Sequence, residues 1–89
     1  MITFVFTKYA QKNFLKLSKT VQQRLIAKLK ELKNHTDILS VLKRLSNFEP
    51  ATHRLRIGDY RLIIELKEQT EKDFEFWILD IGHRKDIYR

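Results

Sequence analysis

The sequence predicts an α+β fold in which two N-terminal helices pack on one face of a small, mainly antiparallel sheet, in the order β-α-α-β-β-β. Two observations lead to this prediction. Apolar residues recur at helical spacing in the first third of the chain, and β-rich runs with a tight-turn signal occupy the second half. The 89 residues suffice for one hydrophobic core and no more, so we expect residues 1–89 to form a single domain.

The first three elements lie within the N-terminal third. Residues 2–6 are a short β-rich run and predict the first strand. Residues 8–17 place apolar side chains at i, i+4 and i+7, which predicts a helix with the face Ala10, Phe14 and Leu17. Residues 20–23 (Thr-Val-Gln-Gln) have the form of a capping box and predict the start of a second helix. The apolar stripe of this second helix is Val21, Leu25, Leu29 and Leu32.

Three strands follow in the second half. Residues 54–57 alternate arginine with apolar residues, Gly58-Asp59 is a tight-turn pair, and residues 60–66 are rich in β-formers. Two such runs around such a dipeptide predict a β-hairpin. Residues 67–73 are polar and predict a loop between two strands. Residues 74–81 predict the most hydrophobic strand of the chain.

Charge is distributed unevenly along the chain. The net charge is +7, and residues 1–33 carry all of it, with eight Lys/Arg against the single acid Glu31. Such a field attracts nucleic acid, an anionic membrane or an acidic protein, and it also suits a solvated face that keeps the protein soluble. There is no Cys, and no apolar run approaches the roughly 20 residues of a membrane helix. We therefore expect a cytoplasmic protein without disulfides, thiolate metal site or membrane contact.

Strand alternation predicts a cationic face on the sheet. If Leu55 and Ile57 face the helices, Arg54 and Arg56 face away from them, and Arg61 joins them if the hairpin register allows it. Guanidiniums on one face repel one another unless an anion such as phosphate lies among them. Alternatively, cross-strand ion pairs neutralise them, with Glu65, Glu75 or Asp80 as partners.

Two segments carry a resemblance to a known family: His53-Arg-Leu-Arg-Ile-Gly-Asp-Tyr-Arg-Leu-Ile63 and Ile81-Gly-His-Arg-Lys-Asp-Ile-Tyr88. Together with the element order and the basic helices, they resemble the RelE/ParE superfamily of toxins from type II toxin–antitoxin modules, and the RelE-like branch in particular. The resemblance implies a RelE-like fold. It also implies a ribosome-dependent mRNA endonuclease that cuts the message in the A site and inhibits translation.

The resemblance also implies roles for individual residues. RelE-like proteins use the substrate 2′-hydroxyl as nucleophile, so no metal or cofactor is expected. The residues that match the family's catalytic positions are Arg54, Arg56, Arg61, Arg84 and Tyr88, where Arg54 and Arg56 replace the lysines that the family often has. Because arginine is a poor general base, we hypothesise that His83 handles a proton, with Tyr88 as the second candidate. The alternative for His83 is a turn residue whose ring bonds the backbone.

The resemblance also indicates partners. We expect the basic helices to dock on ribosomal RNA phosphates around the A site of the ribosome's small subunit, through Lys12, Lys16, Lys28 and Lys30. A cognate antitoxin should cover part of this surface, and operator DNA should be contacted only through the antitoxin. Two other functions stay open: a ParE-like toxin that inhibits DNA gyrase by binding, and a nucleic-acid-binding module without turnover.

Overall fold

A computed structural model describes residues 1–86 of the chain. The predicted order of helices and strands is confirmed, with a short 3₁₀ turn at Ile38–Val41 and one additional strand between the second helix and the hairpin. The elements are β1 (Ile2–Phe6), α1 (Lys8–Leu15), α2 (Lys19–Leu32), β2 (Lys43–Arg44), β3 (His53–Ile57), β4 (Tyr60–Gln69) and β5 (Phe74–His83).

The strands form one five-stranded sheet in the order β1-β5-β4-β3-β2. β1 lies parallel to β5, and the other neighbouring strands are antiparallel, which confirms the mainly antiparallel sheet. The first strand therefore pairs with the last one. The two helices that follow β1 carry the chain back along one face of the sheet.

Both helices begin at a hydroxyl side chain. Thr7 Oγ1 accepts a hydrogen bond from Ala10 N at 3.1 Å, and Ser18 Oγ accepts one from Val21 N at 3.2 Å. The prediction that Thr20 caps α2 is therefore wrong. Ser18 has extended backbone angles, as an N-cap requires, whereas Thr20 already lies inside the first helical turn.

The core lies between the helices and the sheet. The α2 residues Leu25, Leu29 and Leu32 are almost completely buried there. Burial of each such side chain contributes roughly 1.5–3 kcal/mol, so the helix is held by packing on the sheet. The sheet residues that meet the helices and are at most 3% exposed are Leu55, Leu62, Ile64, Phe76, Ile78 and Ile81.

The β3–β4 hairpin forms at the predicted turn. Gly58 has φ +59° while Asp59 keeps a negative φ, the pattern of a type II′ turn, in which glycine takes the first central position. Both long strands extend further than predicted, β4 to Gln69 and β5 to His83. The polar loop between β4 and β5 is therefore shorter than predicted and comprises residues 70–73. Within it, Thr70 Oγ1 accepts a hydrogen bond from Asp73 N at 3.0 Å.

A β-bulge interrupts the pairing of β4 with β5. Ile63 pairs with Asp80 and Ile64 with Ile78, so Leu79 is an extra residue on β5. Such bulges bend a strand and redirect the side chains beside them. Here the bulge lies next to Asp80, whose carboxylate bonds to helix α1.

Candidate functional site

The arginines of the hairpin lie on the sheet face that the helices leave open. Leu55 and Ile57 are buried in the core, so the alternate residues Arg54 and Arg56 point to the other face. The register pairs Arg56 directly with Arg61, which meets the condition for Arg61 to join them. The structure thus brings these three guanidinium side chains to one face near the hairpin turn.

Arg61 is the most constrained of these arginines. The residue is only 9% exposed, and Nη1 donates to the carbonyl oxygens of Gly58 and Tyr60, at 3.3 Å each. Within residues 1–86 it forms no ion pair. A buried charge that contacts only carbonyl dipoles is incompletely compensated, so an anion beside it would be bound favourably.

Arg84 lies beside the β3–β4 turn, where it contacts Asp59. Its backbone N donates to Asp59 O at 2.7 Å, and its Nε lies 3.9 Å from Asp59 Oδ1. Both side chains are more than half exposed, so this ion pair is weak and easily exchanged for another anion. The backbone bond, in contrast, fixes the position of Arg84 at the turn.

The carboxylates considered as counter-ions have other partners. Glu65 lies 3.4 Å from Lys67 Nζ, and Glu75 accepts from Trp77 Nε1 at 2.6 Å. Asp80 Oδ1 accepts from Asn13 Nδ2 at 2.9 Å and from Ile81 N at 2.7 Å. The cross-strand ion pairs that would have neutralised Arg56 and Arg61 do not form in the part of the chain that the structure describes.

His83 lies on the sheet face opposite to Arg56 and Arg61, although it precedes Arg84 in the chain. It pairs across the sheet with Tyr60, and consecutive strand residues such as Tyr60 and Arg61 point to opposite faces. The His83 ring meets the Tyr60 ring edge to face at 5.5 Å, and its Nδ1 accepts from Lys85 N at 3.2 Å. Tyr88, the second candidate for proton transfer, lies outside the described residues.

Lys43 is a further cation on this face, and it was not among the predicted site residues. Lys43 of β2 pairs directly with Arg54, so its exposed side chain extends the arginine face by one strand. The available signal was the Lys43-Arg44 dipeptide. Its neighbour Arg44 pairs with His53, where burial lowers the pKa of the imidazole and the positive charge of Arg44 lowers it further.

The predicted docking lysines do not form one patch. Lys28 and Lys30 are two residues apart on α2, which separates them by about 200° around the helix axis. Lys28 lies 3.4 Å from Glu31 on one flank, whereas Lys30 borders a groove on the other flank together with Phe14. Lys12 is exposed on α1, and Lys16 is exposed directly after it, at the C-cap position.

Among residues 1–86, no three His, Asp or Glu side chains come together in an arrangement that could hold a metal ion. No helix of that range combines the length and the apolar character needed to cross a membrane. The described face presents guanidinium and ammonium groups, which bind anions.

Comparison with solved structures shows the same fold in toxin–antitoxin complexes. A chain of the RelBE2 complex from Mycobacterium tuberculosis aligns with a TM-score of 0.69 and 24% identity, covering 92% of this chain and 96% of that chain. A chain of the RelB–RelE complex from Methanococcus jannaschii gives 0.65 and 24% identity, covering 94% of each chain. A chain of the intact E. coli RelBE complex gives 0.62 and 20% identity, covering 91% and 94%. These likenesses confirm the predicted RelE-like fold.

Sequence comparison identifies the family. No curated protein is significantly similar to the chain in sequence. The sequence model of the ParE toxin family, from the parDE type II toxin–antitoxin system, matches residues 4–88. The chain therefore belongs to the RelE/ParE superfamily and is a toxin of the type II toxin–antitoxin class.

Proposed function

We propose that this toxin is a ribosome-dependent endoribonuclease that cleaves mRNA in the A site and so inhibits translation. The observation that carries the proposal is the direct pairing of Arg56 with Arg61, without an ion pair for either within residues 1–86. Like charges directly opposite each other destabilise a sheet. A fold that retains such a pair has a ready site for a phosphate.

The chemistry requires this type of site. The substrate O2′ attacks phosphorus, the bond from phosphorus to O5′ breaks, and a cyclic phosphate and a 5′-hydroxyl result. The proton lost from O2′ is matched by one gained at O5′. Negative charge accumulates on the phosphorane between these steps, and fixed guanidiniums stabilise it more than they stabilise the ground state. We assign this role to Arg54, Arg56, Arg61 and Arg84.

The assignment of His83 or Tyr88 as the proton-transfer group stays a prediction. His83 is on the opposite sheet face from Arg61, so direct proton removal by His83 would require the RNA to reach around the end of the sheet. Tyr88 is the other candidate. Neither role is needed for the phosphate-binding proposal, because the arginines act on charge and not on protons.

Partners follow from the same proposal. The similar solved chains come from complexes with antitoxins, which supports a cognate antitoxin that blocks this face. Contacts to operator DNA would belong to that antitoxin. We place the toxin's action in the cytoplasm, where it meets the ribosome and mRNA, and we keep ribosomal RNA docking through Lys12, Lys16, Lys28 and Lys30 as part of the proposal.

A second function is favoured by the family match. The matching family is that of the ParE toxin, which makes inhibition of DNA gyrase by binding the alternative. The two functions predict different products. The gyrase inhibitor would leave RNA intact and block supercoiling.

Primer extension on translating ribosomes tests the proposal. We expect wild type to give cuts inside the A-site codon that disappear without ribosomes. Arg56→Ala should abolish them, while Arg24→Ala, an exposed arginine on α2, should retain them. A supercoiling assay with purified gyrase runs in parallel. Loss of supercoiling without any ribosome-dependent cut would overturn the proposal in favour of the ParE-like function.

A further inference from the structure

A cavity of about 470 Å³ lies between α1 and the ends of β4 and β5. It is on the helix side of the sheet, because it is lined by Tyr60 and not by the neighbouring Arg61. The proposed phosphate site therefore leaves it unused. The lining residues that matter here are Tyr9, Asn13, Lys16, Tyr60, Asp80 and His83.

Aromatic rings form one part of the lining. Tyr60 and His83 meet edge to face, with an angle of 80° between the ring planes. Tyr9 is 62% exposed on α1 although its ring is large and largely apolar. Exposed rings beside a polar cavity are suited to stack on a planar ligand, as aromatic side chains do on unpaired RNA bases.

Asp80 supplies a fixed hydrogen-bond acceptor. The bulge at Leu79 directs its carboxylate toward α1, where Oδ1 accepts from Asn13 Nδ2 and from Ile81 N. Both bonds use the same oxygen, and no hydrogen bond to Oδ2 forms among residues 1–86, so Oδ2 can accept from a ligand. Within the described range Asp80 has no ion pair. Because an ionised carboxylate only accepts hydrogen bonds, a ligand with N–H donors suits this cavity.

Guanine matches this donor requirement. Its Watson–Crick edge presents N1–H and an amino group side by side, both of which can bond to a carboxylate. Adenine presents an unprotonated N1 at the same place, whose lone pair would face the carboxylate. Lys16 at the rim of the cavity can meet a phosphate attached to the base's sugar.

We propose that this cavity is a base-binding subsite that holds an unpaired guanine nucleotide, with the base between the aromatic rings and its donor edge on Asp80. The inference goes beyond the proposed function, and rests on it only for RNA as the source of the guanine. The cavity and the arginine face meet at the same end of the sheet, since Tyr60 and Arg61 are neighbours. One strand of RNA can therefore contact both.

The test uses the free protein without ribosomes. Guanosine 5′-monophosphate and adenosine 5′-monophosphate are titrated separately while backbone amide NMR signals are followed. We expect the guanine nucleotide to bind on the order of tenfold more tightly, with shifts at Asn13, Tyr60 and His83. Tyr9→Ala should weaken its binding. Leu15→Ala is the matched control, because Leu15 is equally exposed on α1 at 61% but does not line the cavity.

The outcomes separate this subsite from the phosphate site. Arg56→Ala should leave guanine nucleotide binding unchanged even if it abolishes RNA cleavage. Equal affinity for the two nucleotides, an equal effect of Tyr9→Ala and Leu15→Ala, or shifts confined to the arginine face would each overturn the subsite. None of these results depends on whether the protein cleaves mRNA.

Discussion

Arg56 and Arg61 lie directly opposite each other on adjacent antiparallel strands. Arg61 is almost buried, and among residues 1–86 its guanidinium donates only to the carbonyl oxygens of Gly58 and Tyr60, while Arg56 is exposed. A pair of like charges in this position costs stability, typically a few tenths to about 1 kcal/mol. This cost is consistent with the proposal that the pair binds a phosphate.

Reversal of one charge should separate stability from activity. Arg56→Glu places a carboxylate opposite Arg61, so we expect the free energy of unfolding to rise by roughly 0.5–1 kcal/mol while RNA cleavage is lost. Urea denaturation and the cleavage assay measure the two effects. Arg24→Glu on α2 is the control and should change neither. If Arg56→Glu were less stable than wild type, the result would contradict our view that Arg56 and Arg61 repel each other in the folded protein.

The start of α2 gives a second prediction. Ser18→Ala removes the hydroxyl that accepts from Val21 N, so we expect a loss of about 1 kcal/mol in the free energy of unfolding. Thr20→Ala, two residues away, should cost clearly less, because Thr20 is not the capping residue. Thermal or urea unfolding of the two variants decides between them. Equal losses would mean that both hydroxyls stabilise the helix start.

His53 should make stability dependent on pH. Burial and Arg44 lower the pKa of its imidazole in the folded state below the ordinary value of about 6.5. The unfolded chain therefore binds this proton first. The contribution of His53 is complete above about pH 6.5 and is lost progressively as the pH falls below that value toward the folded pKa.

Replacement of the imidazole checks this dependence. We compare urea midpoints of wild type and His53→Gln at several values between about pH 7.5 and pH 5. The wild type should lose stability relative to the variant on acidification. Parallel curves would show that the pKa of His53 is the same in the folded and unfolded chain.

The position of His83 predicts a kinetic result. Because the sheet separates its ring from the arginine face, we expect His83→Ala to keep the wild-type pH–rate profile for RNA cleavage. The profile is measured under single-turnover conditions, so that binding and release do not mask the proton step. If the variant lost one limb of the profile, His83 would take the proton-transfer role that the sequence suggests.

The arginine face was predictable because two local rules determine it. The period of two in β3 places Arg54 and Arg56 together, and the two-residue turn at Gly58-Asp59 sets the register that adds Arg61. Other features had no such signal. A strand of two residues such as β2 shows no periodicity, so the pairing of Lys43 with Arg54 could not be foreseen.

Two further features depend on tertiary structure: the residue that caps α2 and the sheet face on which His83 lies. Ser18 and Thr20 are both good capping residues, and the extended backbone at Ser18 is what makes it the N-cap. The face occupied by His83 depends on how far β5 extends and on the bulge at Leu79. Neither feature leaves a pattern in the sequence, because tertiary pairing determines both.

The most direct test of the phosphate-binding face is single-turnover cleavage of A-site mRNA on programmed ribosomes with toxin in excess. Saturation removes the contribution of docking, so the rate reports stabilisation of the phosphorane. We predict that Arg56→Ala lowers this rate by on the order of 10²-fold, while Arg24→Ala cleaves like wild type. If Arg56→Ala cleaved at the wild-type rate, the arginine pair would not act on the scissile phosphate.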